Sequence, residues 1–118
     1  MRDHKKLKVF VLADALAILV YRHTKCFPTE ERCGLTSQVR RASVSIAANI
    51  VEGSARISRA DFVRSLVIAL GSACELDYEL SLAQRLGYFR QNEYRELSAL
   101  VTRTCRVLRK FILVIRNT

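Results

Sequence analysis

Residues 35–62, LTSQVRRASVSIAANIVEGSARISRADF, decide how this chain folds. Leu35, Val39, Ala42, Ile46, Asn49 and Gly53 recur at spacings of three and four, the period of a helix with one face turned inward. Ser43, Ser45, Ala47 and Ala48 sit among them, and such small side chains let a second helix come close. Gly53-Ser54 marks a stop, while Ser58, with Asp61 three residues on, offers an N-cap oxygen and an acidic first turn. Two helices and the corner between them are therefore expected here.

The next segment supports that reading. Phe62, Leu66, Ala69, Ala73, Leu76, Leu80 and Ala83 form an unbroken a/d pattern, and about 28 residues of helix would span ~42 Å. Gly87 should close this helix. A fourth helix starts near Asn92, with Tyr94, Leu97, Val101, Cys105, Leu108, Ile112 and Ile115 on its inner stripe. Upstream, residues 7–26 read as a first helix, ended by Phe27-Pro28, since proline pushes its predecessor out of helical geometry. One of its stripes runs Leu7, Val11, Asp14, Ile18, Tyr21 and Lys25, widened by Phe10, Ala17 and Val20, while Leu12, Leu16 and Leu19 fall on further faces. A helix apolar nearly all round needs cover on more than one side, which predicts a self-association surface. On such a helix a buried Asp14 would need a cation or hydrogen-bond donors. After Pro28, Thr29 is a candidate cap for an acidic turn at Glu30-Glu31, and the second helix starts between Thr29 and Thr36.

Composition agrees with an all-α antiparallel up-down-up-down four-helix bundle. Among 118 residues there are four Gly and one Pro, too little punctuation for the turns of an all-β fold. That length fits a single domain covering residues 1–118. The formal charge of +9 attracts polyanions, nucleic acid among them, though a solvated surface or an acidic protein partner would account for it too. Residues 90–118 hold seven of the basic side chains against Glu93 and Glu96. Cys26, Cys33, Cys74 and Cys105 show no CxxC spacing and no paired His, so neither a metal nor another cofactor is expected. Three of the four fall at positions where helical spacing calls for apolar residues, which suits a reducing cytoplasm; a Cys26–Cys33 bridge stays open. The N-terminal order, Arg2 to Lys8 and then apolar Val9 to Tyr21, is that of a secretory signal, but Asp14 interrupts it and RHTKC offers no cleavage site. The apolar run is also short of the ~20 residues that span a bilayer, so no membrane association is expected.

Two groups of residues are candidates for function. Asn49, Glu52 and Glu75 are expected to form a structural polar cluster between the second and third helices, bonding helix-end amides, Ser72 or the arginines of the turn. The competing reading of this cluster is paired carboxylates doing acid–base work. No serine sits in a GxSxG-type turn, and no enzyme is expected. Arg103, Arg106 and Lys110, at i, i+3 and i+7, share one face of the fourth helix, with Arg95 nearly in line. Together with Arg40, Arg41, Arg56 and Arg59 they are the candidate phosphate contacts. Salt bridges to the acidic third helix would also use this row. Without interleaved exposed aromatics, binding would be backbone-directed and weakly sequence-selective.

The segments FPTEERCGLTSQVRRASVSIAANIVEG, SRADFVRSLVIALGSACELDYEL and AQRLGY, taken together, resemble the small bundle proteins encoded in intervening sequences of bacterial 23S rRNA, the S23 or IVS proteins. The likeness runs from about Phe10 to Tyr94. It is carried by Phe27, Pro28, Gly34, Leu35, Gln38, Arg40, Arg41, Asn49, Glu52, Gly53, Arg59, Phe62, Ala69, Gly71, Ser72 and Glu75. Phe10 stands where a Trp is common, and Arg90 stands where a Ser often caps the last helix, which leaves that cap to another residue. That family is similar to the accessory variability protein of diversity-generating retroelements. The resemblance implies a homopentamer with a positive surface and no catalytic activity, which binds nucleic acid or associates with a ribonucleoprotein. The alternative it implies is a protein-interaction scaffold that recruits a nucleic-acid enzyme such as a reverse transcriptase.

Overall fold

A computed structural model describes residues 2–118, and those residues contain helices but no strand. The helices are α1 (Lys8–His23), α2 (Leu35–Ser54), α3 (Arg59–Arg85) and α4 (Gln91–Arg116), with short 3-10 turns at His4–Lys6 and Thr29–Glu31. Backbones come close between α1 and α2, α2 and α3, α3 and α4, and α4 and α1, so the four helices form a ring. The short α2–α3 and α3–α4 connections make those neighbours antiparallel, and Arg40 near the start of α2 meets Thr24 at the end of α1, so that pair is antiparallel too. The molecule measures 44 × 23 × 20 Å, and the 27 residues of α3 run nearly its full length at 1.5 Å per residue.

The core is the seam expected from the heptads. Phe62, Leu66, Ala69, Ala73, Leu76, Leu80 and Ala83 of α3 are all buried, facing Val39, Ile46 and Ile50 of α2 and Leu97, Val101 and Leu108 of α4. The small residues of α2 bring it close to α3. A Cβ added at Gly53 would sit 2.7 Å from the Ser65 Cβ, and the Ser45 and Ser72 hydroxyls meet across the seam at 2.9 Å.

The junctions also follow their local chemistry. Ser58 caps α3, its hydroxyl accepting from the Asp61 N–H at 3.1 Å. Gly87, at φ +80°, turns the chain out of α3, where the Tyr88 N–H bonds back to the Ala83 carbonyl and the Gly87 N–H to that of Gln84. Arg90 has no side-chain acceptor to offer, and Glu93 serves instead, accepting from the Arg90 N–H at 2.8 Å. Thr29 does not cap the acidic turn but is its first residue, after Pro28, and makes no capping bond there; at α2 the capping group is Glu31. Its carboxylate accepts from the Leu35 N–H at 3.0 Å and the Tyr88 hydroxyl at 2.8 Å, tying the start of α2 to the α3–α4 connection. Both bonds hold the Glu31 carboxyl below its ordinary range, the backbone bond most. The Phe27 ring meets Tyr88 at a tilt and Phe89 edge-on, with centroids 5.3 and 5.0 Å away, at this end of the bundle.

Three expectations are corrected. The first helix is shorter than residues 7–26, because Thr24 caps it, both its N–H and its hydroxyl bonding to the Val20 carbonyl. Its core face is Val9, Leu12, Ala13, Leu16 and Val20, while Val11, Asp14, Ile18 and Tyr21 are exposed, so Asp14 needs no buried partner. Only Cys105 is buried, and all four cysteines are free, with no bridge between Cys26 and Cys33.

Candidate nucleic-acid interface

The C-terminal half of α4 lies against the start of α1, and this pairing gathers five basic side chains along one groove. Arg103, Arg106 and Lys110 rise from α4, while Lys6 ends the turn before α1 and Lys8 begins α1. Between them runs a groove of about 570 Å³ floored by Leu7, Val9, Val107, Phe111 and Val114. None of its lining residues is acidic. Arg106 and Lys110 also border a second groove, of about 580 Å³, on the other side of α4. They therefore stand on a ridge between two depressions. Among the described residues the ion pairs are His23 with Glu93 and Glu96, Arg56 with Glu52, and Arg64 with Asp61. Among these residues the row on α4 makes no ion pair with the acidic side chains of α3, of which Asp77 lines the second groove with Arg106 and Lys110.

The other basic candidates have different surroundings. Arg56 and Arg59 are exposed at the end of the bundle that also carries the N-terminal lysines, since Arg2 reaches the Arg56 carbonyl at 3.1 Å. Arg56 is held by Glu52, and Arg59 has no carboxylate within ion-pair reach among the described residues. Arg40 is committed to structure: its Nε donates to the Thr24 hydroxyl at 2.8 Å, and its guanidinium lies 4.7 Å from the centre of the Tyr21 ring. Arg41 borders a separate groove with Gln38, Ser45, Ser72 and Glu75. Lys6 and Lys8 were absent from the sequence candidates, because only the packing of the N-terminal segment on α4 makes them part of the row.

Asn49, Glu52 and Glu75 do not come together. The Asn49 amide bonds to the Ser45 carbonyl at 2.8 Å and its hydroxyl at 3.1 Å, so it satisfies groups within α2 rather than helix-end amides. Glu52 pairs with Arg56, and Glu75 is exposed. The carboxyl that matters here is Glu79, only 5% exposed, with Oε1 lacking a hydrogen-bond partner. Burial, and then the charge and hydrogen bond of neighbouring Glu75, raise it to about 7. Ser65, Ser72 and Glu79 recur every seven residues, the one sequence signal that Glu79 shares the line of α3 facing α2. No group of three or more His, Cys, Asp or Glu side chains among the described residues is arranged to hold a metal ion.

Residues 5–110 match the family described as 23S rRNA-intervening sequence protein. The chain belongs to that family. It is also similar to a crystal structure of a protein of unknown function from the S23 ribosomal protein family of Bacteroides thetaiotaomicron. The two share 30% sequence identity and a TM-score of 0.80, over 88% of this chain and 97% of that one. No curated protein matches the chain. Within the 23S rRNA-intervening sequence family, the α1–α4 groove described above lies almost wholly inside the matched residues, with Phe111 and Val114 just beyond them. No helix among the described residues is long and apolar enough to cross a membrane.

Proposed function

We propose that this protein is a non-enzymatic, oligomeric bundle that holds nucleic acid by its backbone along the α1–α4 groove. The observation that carries the reading is the convergence of Lys6, Lys8, Arg103, Arg106 and Lys110 on one groove with no acidic lining residue. Five cations not paired within the subunit are placed to displace condensed counterions from phosphates, which gives affinity without base readout. The family's association with an rRNA intervening sequence supports RNA as a target.

Assembly would multiply the effect. The outer face of α1 leaves Val11, Ile18 and Tyr21 exposed at 55, 47 and 43%, an apolar stripe suited to a second copy of the chain. A closed ring repeats the groove once per subunit, and repetition turns modest single contacts into avidity.

Binding of the purified protein to structured RNA and to duplex DNA at low salt tests the reading. Binding to both with similar affinity is expected, and absence of binding to either overturns it. The second reading, a scaffold for an acidic or nucleic-acid-bound protein, uses the apolar floor of the same groove. Affinity capture after nuclease treatment separates the two, since a directly bound protein survives digestion and an RNA-bridged one is lost.

A further inference from the structure

α3 and α4 run antiparallel in a register marked at two levels. Phe62 meets Phe111 with ring centroids 6.0 Å apart, and farther along, the Arg109 guanidinium donates to the Cys74 sulfur at 3.8 Å. Cys74 and Cys105 lie on these facing helices, and both line the groove of about 580 Å³ beside α4. Cys74 is exposed at its mouth, whereas Cys105 is 8% exposed beneath, with the Cys74 thiol close by. We propose that Cys74 and Cys105 are a peroxide-sensitive dithiol that closes into a reversible disulfide between α3 and α4.

The chemistry divides between an attacking and a resolving sulfur. Cys74, deprotonated, attacks one oxygen of hydrogen peroxide. The O–O bond breaks, the departing hydroxide takes up a proton and leaves as water, and Cys74 becomes a sulfenic acid. The Cys105 sulfur then attacks the Cys74 sulfur, the S–O bond breaks, and a second water leaves carrying the Cys105 proton. Two thiols have lost two electrons in all, and one peroxide has become two waters. Burial, with Cys74 beside it, pushes the Cys105 thiol up to about 11, so it is the poorer first nucleophile and fits the resolving role. Arg109 donates to the Cys74 sulfur, with Arg106, Lys110 and Asp77 lining the same groove.

The test uses the full chain with Cys26→Ser and Cys33→Ser, which removes the two other exposed thiols. After stoichiometric hydrogen peroxide, the intact mass should fall by two hydrogens, peptide mapping should join Cys74 to Cys105, and dithiothreitol should reverse both changes. Adding Cys105→Ser should stop the reaction at a Cys74 sulfenic acid that dimedone traps. Cys74 linked to Cys74 of another copy, or carried to sulfinic acid while Cys105 stays a thiol, would overturn the proposal.

Discussion

Glu79 shows how one side chain can set the pH response of the whole fold. Its carboxyl titrates near 4.5 when unfolded and near 7 when folded, so between those values the native state holds the extra proton. Stability contributed by the neutral carboxyl is complete below about pH 4.5 and is lost as pH rises through 7, a change of about 3 kcal/mol. Glu31 and Asp61 act oppositely and elsewhere on the scale. Their lowered values add stability that is present above the ordinary carboxylate range and lost as pH falls below it. Urea unfolding of the wild type between pH 5 and 8 should therefore show falling stability, while Glu79→Gln should be nearly flat and more stable at pH 8. Rising wild-type stability across that window would contradict the assignment. Little of this is legible in the sequence, because a Glu beside Glu75 and Asp77 looks like part of a solvated face. Only the approach of α2, made close by Gly53, Ser45 and Ser72, takes it out of water. Ser58 and Gly87 were legible because caps and left-handed turns depend on a few adjacent residues.

Helices differ in how much of their packing the sequence reveals. The α3 seam is read directly, since its apolar residues keep one period and its neighbours along the chain are polar. For α1 the period is ambiguous: apolar residues occur all round, and the faces presented to α2 and α4 decide which stripe is core. Two substitutions two residues apart separate the faces. Leu16→Ala, at a fully buried site, should cost about 2–5 kcal/mol by chemical denaturation. Ile18→Glu should leave that stability within about 0.5 kcal/mol in the monomer and abolish self-association in light scattering. Equal destabilisation by both would mean the outer stripe is not an interface. On α2, Gly53→Ala should destabilise by about 1–2 kcal/mol. The new methyl would press on the Ser65 Cβ at 2.7 Å, which outweighs the gain in helix propensity. A neutral result by thermal melting would show that α2 and α3 can separate at little cost.

At the scale of the molecule, the sequence carries the amount of charge and the fold decides where it acts. Net charge and the spacing of Arg103, Arg106 and Lys110 are visible in one dimension. The contribution of Lys6 and Lys8, and the commitment of Arg40 to Thr24 and Tyr21, follow only from which helices become neighbours. The family to which the chain belongs is described as 23S rRNA-intervening sequence protein, and the groove lies almost wholly inside the residues that match it. If five cations contact phosphates, the logarithm of the duplex binding constant should fall with the logarithm of salt at a slope of about −4.5 per subunit engaged. The most direct measurement compares that slope for the wild type and for the Arg103→Ala, Arg106→Ala, Lys110→Ala triple variant at matched oligomeric state. A loss of about 2.7 from the slope, with the fold intact, is the predicted result. An unchanged slope would contradict the groove as the binding surface.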